Sequence, residues 1–140
     1  MSMSAINFKN FLEEKNLKCE YLEKDGDRAE IVRISAAGDH ADRIELVFFF
    51  DEDGESVNVK SFTVAKVPAD KLMDMYVKLN ELNYEYRWVK FYLDDDNEVT
   101  VSGDAIISPE TAAEECFEIL LRYHNIIDDI YPQLMKIIWA

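Results

Sequence analysis

Glycine, proline, cysteine and histidine are all scarce in this sequence, and each scarcity removes a class of function. Four glycines and three prolines among 140 residues leave no room for a flexible or proline-rich linker, and no internal repeat or low-complexity tract is visible. The chain therefore reads as one domain, residues 1–140. Neither GxxxxGK followed by Ser or Thr nor GxGxxG occurs, which argues against a dedicated phosphate-cradling loop. Cys19 and Cys116 stand far apart, with no CxxC and no histidine at ligand spacing. They propose neither a zinc site nor a disulfide framework and read as small apolar residues. Of the two histidines, His40 lies in a polar loop around Gly38. His124 lies in a helical run four residues before Asp128, the spacing of a helix-surface contact. No nucleophile stands beside a base, as acyl transfer requires. No catalytic, cofactor-binding or metal-ligating residue is assigned, no cofactor is expected, and the expectation is a protein that is not an enzyme.

Positive charge is also in short supply. Fifteen Lys and Arg against 29 Asp and Glu give a net charge of −14, which repels phosphate backbones and anionic lipid surfaces at long range. Neither nucleic acid nor membrane is expected as a partner. No segment approaches the roughly 20 apolar residues of a membrane helix. The N-terminal MSMSAINFKNF lacks the basic flank and apolar stretch of a secretory signal, so the expected location is cytoplasmic. The acidic turns at Asp51 and Asp94 invite a calcium reading, but neither has calcium-loop spacing. A loop begun at Asp51 has its glycine, Gly54, at position four instead of six and Phe62 where a bidentate Glu belongs, and one begun at Asp94 has Val99 at the glycine position and Ala105 at the last ligand. Both read as solvated turns.

What is present is patterned apolar sequence. Ser4 is placed as the cap of a helix running to about Lys15, with Phe8, Phe11 and Leu12 on one face. Four strands follow at about 18–24, 28–35, 43–50 and 56–66, punctuated by Asp25-Gly26, Gly38-Asp39 and Asp53-Gly54. Val67-Pro68 marks the start of a second helix, ending near Asn80 to Asn83, whose buried stripe is predicted as Leu72, Met75, Tyr76, Leu79 and Leu82. Residues 87–93 and 99–107 read as a hairpin across Asp94 to Glu98. Ser108 and Pro109 predict the start of a last helix, with an apolar stripe from Ala112 to Ile137 and a kink or break at Pro132. The order α-β-β-β-β-α-β-β-α argues for the α+β class, an antiparallel sheet with segregated helices.

One run breaks strand alternation. Leu46, Val47, Phe48, Phe49 and Phe50 direct large apolar side chains to both faces of a sheet, so both faces are expected to be covered. Val47 and Phe49, with Trp88 and Tyr92 from the hairpin, are the candidate interface, for a client peptide or for a second copy in a homodimer.

The stretch VPADKLMDMYVKLNELNYEYRWVKFYLDDDNEVTVSGDAII and the terminal helix from Ser108 to Trp139 resemble the YbjN family, described as bacterial sensory transduction regulators. LNELN at Leu79 to Asn83, Lys-Phe before an acidic turn and a Val-x-Val strand, and Pro132 to Trp139 carry the resemblance. It covers about half the chain well and the first four strands loosely. The resemblance implies a type III secretion chaperone-like fold, commonly dimeric, and no catalytic residues; Asn80 and Asn83 are its motif positions. A protein-binding or regulatory module, chaperone-like, is expected. The alternative is a small-molecule sensor with a pocket between the sheet and the C-terminal helix, which a ligand would stabilise against heat.

Overall fold

The computed structural model describes residues 2–140. Its elements follow the predicted order: α1 (Met3–Glu14), β1 (Glu20–Leu22), β2 (Glu30–Ala36), β3 (Ile44–Phe50), β4 (Ser56–Lys66), α2 (Leu72–Glu85), β5 (Lys90–Leu93), β6 (Glu98–Ile106) and α3 (Ala112–Ile138). The six strands form one antiparallel sheet in the order β1-β2-β3-β4-β6-β5.

Alternation decides which face is core. Ile44, Leu46, Phe48 and Phe50 of β3 lie in register with Ala36, Ile34, Val32 and Glu30 of β2, and Phe48 and Phe50 with Val59 and Val57 of β4. The same side carries Val99 and Val101 of β6 and Phe91 of β5. All three helices pack here. Phe8 of α1 meets Phe48 with ring centroids 4.7 Å apart, and Met75, Leu79 and Leu82 of α2 join the buried stripe of α3 in one cluster. Each large side chain withdrawn in this way contributes about 1.5–3 kcal/mol.

The run from Leu46 to Phe50 therefore has helices on only one of its faces. On the other, Val47 stands between Arg33 and Lys60 and is 5% exposed, because the aliphatic stems of those neighbours shade it. Long polar side chains, not a third layer, supply much of the cover that the sequence pattern demanded.

Several local expectations are corrected. Ser2, not Ser4, caps α1, accepting from the Ala5 N–H at 3.1 Å; Ser4 is buried and donates to the Gly54 carbonyl at 2.6 Å. Helix α2 continues to Glu85. The Ser108-Pro109 turn forms the bond from Ala112 N to Ser108 O at 2.8 Å, but regular helix begins only at Ala112, since short-range turns commonly blur such ends. Pro132 does not break α3, which runs unbroken for 27 residues. The proline is exposed, and Ile127, Ile130 and Leu134 are buried on either side of it, so packing holds the helix through the lost hydrogen bond.

Candidate protein-binding surfaces

The structure separates the predicted interface residues. Val47, Phe49 and Tyr92 lie on the face of the sheet away from the helices, in register with Arg33, Ile31 and Thr100. Phe62 joins them, edge-on to Phe49 with centroids 6.2 Å apart. Trp88 is elsewhere, in the turn between α2 and β5. This outer face is charge-balanced in a strongly acidic protein: Arg33, Lys60, Lys66 and Lys90 share it with Glu20, Glu45, Glu98 and Asp104, and Arg33 stands opposite Glu20 and Lys66 opposite Glu98 in the ladders.

The most exposed apolar surface is one that the sequence reading missed. On α2, Met73, Tyr76, Val77 and Tyr84 project away from the core, with exposures from 52% at Tyr76 to 92% at Tyr84. Their spacing of three, one and seven residues places them on one side of the helix. Tyr76 thus leaves the predicted buried stripe. The signal was there to be read: eight of the fourteen α2 residues are Leu, Met, Tyr or Val, and a helix apolar around most of its circumference requires cover on more than one side.

The two motif asparagines have different settings. Asn80 is exposed beside that stripe. Asn83 reaches sideways to β5, where its Nδ2 donates to the Phe91 carbonyl at 3.0 Å and its Oδ1 accepts from the Phe91 N–H at 2.7 Å. A side-chain amide here takes the place of a neighbouring strand, fixing α2 to the sheet and closing the outer edge of β5.

The expected surface contact between His124 and Asp128 is replaced by a joint grip on the β2–β3 loop. His124 Nε2 lies 3.0 Å from the Ala37 carbonyl. The Asp128 carboxylate accepts from the N–H groups of Asp39, His40 and Ala41 at 2.9, 2.8 and 3.0 Å. Gly38 permits this approach, since a Cβ there would come within 2.2 Å of Asp128 Oδ1. The backbone donors of Ala41 and His40 above all hold the Asp128 pKa down, to about 2. A carboxyl depressed in the folded state stabilises above its ordinary value of 3.8, and the contribution is lost as pH falls through the folded value. Asp128→Ala is expected to lower the Tm by several degrees at neutral pH, and the gap from wild type to close as the pH falls through that window. Melting curves across the acid range check this.

The β5–β6 turn brings the carboxylates of Asp94, Asp96 and Glu98 within 4.8 Å of one another. Asp94 accepts there from the N–H groups of Asp96 and Glu98, at 2.9 and 3.1 Å, the signature of an Asx-type turn. Cys116 is buried, and burial, followed by the neighbouring Glu115, pushes its thiol up to about 12, which makes it a packing residue and not a nucleophile.

Two apolar clefts flank α3. One, of about 340 Å³, lies between α3 and the ends of β2 and β3, with Leu17, Ile34, Phe117, Leu120, Leu121 and His124 among its walls. The other, of about 400 Å³, is lined by Trp88, Ala105, Ile119 and Tyr123, with Asp104, Glu115, Glu118 and Arg122 around them. Tyr123 is mostly buried and donates to the Trp88 carbonyl at 3.1 Å. Burial, then the charge of Asp104, pushes its hydroxyl up to about 12.

A family model, YbjN, described as "Putative bacterial sensory transduction regulator", matches residues 7–135. The chain belongs to the YbjN family. None of the curated proteins matches. Among solved structures, the chain is similar to the crystal structure of YbjN from E. coli, described there as "a putative transcription regulator", at 13% identity and a TM-score of 0.59, over 90% of each chain. It is also similar to a chain of the ExsC–ExsE complex, at 16% identity and a TM-score of 0.53, over 91% of this chain and 92% of that one. These likenesses establish the α+β, type III secretion chaperone-like fold that the YbjN resemblance implied. No helix among the described residues is long and apolar enough to cross a membrane.

Proposed function

We propose that this YbjN-family chain is a non-enzymatic protein-binding module of regulatory type that works as a homodimer joined through the outer stripe of α2. The observation that carries the reading is that α2 is apolar on two sides while packing by only one. Exposed apolar patches of this kind mark interfaces, and a helix with a self-complementary stripe suits a two-fold pair. Charge favours a second copy as the occupant. From Asp70 to Arg87, Asp70, Asp74, Glu81 and Glu85 face Lys71, Lys78 and Arg87, a net of −1 within a chain of −14, so two copies meet where their mutual repulsion is least. The similar chain of the ExsC–ExsE complex belongs to an assembly of two proteins, which supports protein binding by this fold as an analogy.

Sedimentation equilibrium at micromolar concentration is expected to give twice the 16.3 kDa chain mass. Val77→Glu combined with Tyr84→Glu is expected to weaken the pair at least ~100-fold, with an unchanged Tm for the separated chain, because truncating central interface residues typically costs ~2 kcal/mol or more each. A wild-type protein that stays monomeric over a broad dilution series overturns the dimer. A second reading, a small-molecule sensor, is supported by the 340 Å³ cleft between sheet and α3, a volume within the range of ligand pockets. A small apolar compound that raises the Tm of wild type but not of Leu120→Arg would favour it.

A further inference from the structure

The sheet closes one of its edges and leaves another open. The outer edge of β5 is occupied where Asn83 takes both backbone groups of Phe91. β5 itself is only four residues long, and its pairing with the nine-residue β6 ends at Lys90 opposite Ser102. Beyond that point Trp88, at φ +79°, turns the chain away. A large side chain in that region of backbone space is strained, and such strain gathers where a site must be held in place.

Beside Asp104 to Ile106 no strand follows on that side. The direction of the backbone there is fixed by the opposite neighbour. The Gly103 carbonyl accepts from Asn58 Nδ2 on the β4 side, and the Ile107 N–H donates to the Glu55 carbonyl on the same side. Successive residues alternate, so Asp104 and Ile106 turn their N–H and C=O groups outward. Ile106 is 88% exposed. Directly above this edge, on the helix side, lies the apolar cleft of Trp88, Ala105, Ile119 and Tyr123. It stands where the inward side chain of a continued β5 would have been.

We propose that a basic, extended peptide binds this edge as an added strand. Its backbone pairs with Asp104 and Ile106, and the side chain opposite Ala105 enters the cleft between Trp88, Ile119 and Tyr123. Addition of a strand to an exposed edge supplies affinity through the backbone and specificity through alternate side chains. The basic character follows from the rim. Asp104 stands at the edge on its outer side and Glu115 and Glu118 on the rim of the cleft; of the two cations nearby, Arg122 is engaged by Glu118 at 3.5 Å and Arg87 lies against the Trp88 ring, 5.1 Å from its centroid. An incoming Lys or Arg meets Glu115 and Asp104, neither of them engaged by a cation among the described residues, Asp104 accepting only from the neutral Asn58 amide at 2.8 Å, and the charge of −14 steers it toward the protein. This inference rests on the reading of the chain as a protein-binding module and names the class of partner; it does not use the outer stripe of α2.

The probe is an acetylated, amidated, fluorescein-labelled heptapeptide, Lys-Val-Lys-Leu-Lys-Val-Lys, compared with its glutamate counterpart, Glu-Val-Glu-Leu-Glu-Val-Glu, by fluorescence anisotropy with the full chain. Saturable binding of the lysine peptide alone is expected, with slowed hydrogen exchange at the amides of Asp104 and Ile106. Ile106→Pro removes an outward N–H that no strand uses, so the fold should persist while affinity falls about tenfold or more. Asp104→Lys should reduce the preference for the lysine peptide over the glutamate one, because Asp104 shares the outer face of the edge with the charged side chains of the added strand. Equal binding of both peptides to wild type, full binding to Ile106→Pro, or unchanged exchange at Asp104 and Ile106 in the wild-type complex overturns the proposal. Failure of the lysine peptide to bind a protein that still pairs through α2 removes the strand-addition site and leaves the dimer standing.

Discussion

Ile127→Asp is expected to leave the protein unfolded at room temperature. Ile127 lies at the centre of the α3 stripe, 1% exposed, in the same cluster as Leu46 and Phe48 of β3 and Leu134 of α3. Replacement removes a large aliphatic side chain, which alone costs about 2–5 kcal/mol when it leaves a cavity. It also places a carboxyl among apolar neighbours. Whether that carboxyl stays charged or takes up a proton, the penalty adds several kcal/mol more. Domains of this size are stable by about 5–15 kcal/mol in total, so the two losses together approach the whole margin. Circular dichroism and a denaturant titration measure the result. A variant with the wild-type Tm would show that α3 does not form the centre of the core.

The legibility of α3 in the sequence has a physical origin. Its apolar residues recur at one helical period over more than seven turns, and no other arrangement of Ala112, Cys116, Tyr123, Ile127, Ile130 and Leu134 buries them together. The strands were legible for a similar reason, since Asp-Gly and Gly-Asp pairs separate runs of β-branched and aromatic residues. Trp88 shows where that logic stops. Residues 87–89 have strand-like composition, but the positive φ at Trp88 and the bond from Tyr123 to its carbonyl keep them out of the sheet, so that β5 starts only at Lys90. Such a contact depends on a helix 35 residues away, and local propensity carries no trace of it. Asp128 was hidden for the same reason: its three N–H partners lie 87 to 89 residues away. The outer stripe of α2 is a different kind of omission. Periodicity shows that a helix has an apolar side, but where most positions are apolar it cannot say which of two sides the core takes. The core took Met75, Leu79 and Leu82, leaving Tyr76 with Met73, Val77 and Tyr84.

Gly103→Ala is expected to destabilise the protein by about 1–3 kcal/mol, the usual cost of forcing an extra methyl into a packed interior, and to disturb the cleft beneath Trp88. Gly103 does not owe its place to backbone freedom, since its φ is not positive. Its role is to admit close neighbours. A Cβ there would fall 2.1 Å from Tyr123 Oη and 2.7 Å from the Trp88 carbonyl oxygen. The tyrosine cannot turn aside cheaply, because it is buried in the α3 stripe and its hydroxyl donates to that carbonyl. The carbonyl belongs to the backbone of the strained turn, so its retreat moves the Trp88 ring as well. Loss of stability should therefore be accompanied by a change at Trp88, whose ring lies 5.4 Å from the Arg122 guanidinium. Chemical denaturation gives the stability, and tryptophan fluorescence read against a Trp139→Phe background gives the change at Trp88. Tyr123→Phe in combination with Gly103→Ala should recover part of the loss by removing the oxygen that is crowded most. If the alanine variant keeps both the wild-type stability and the wild-type Trp88 emission, β6 and α3 are not in the close contact that this side of the cleft requires.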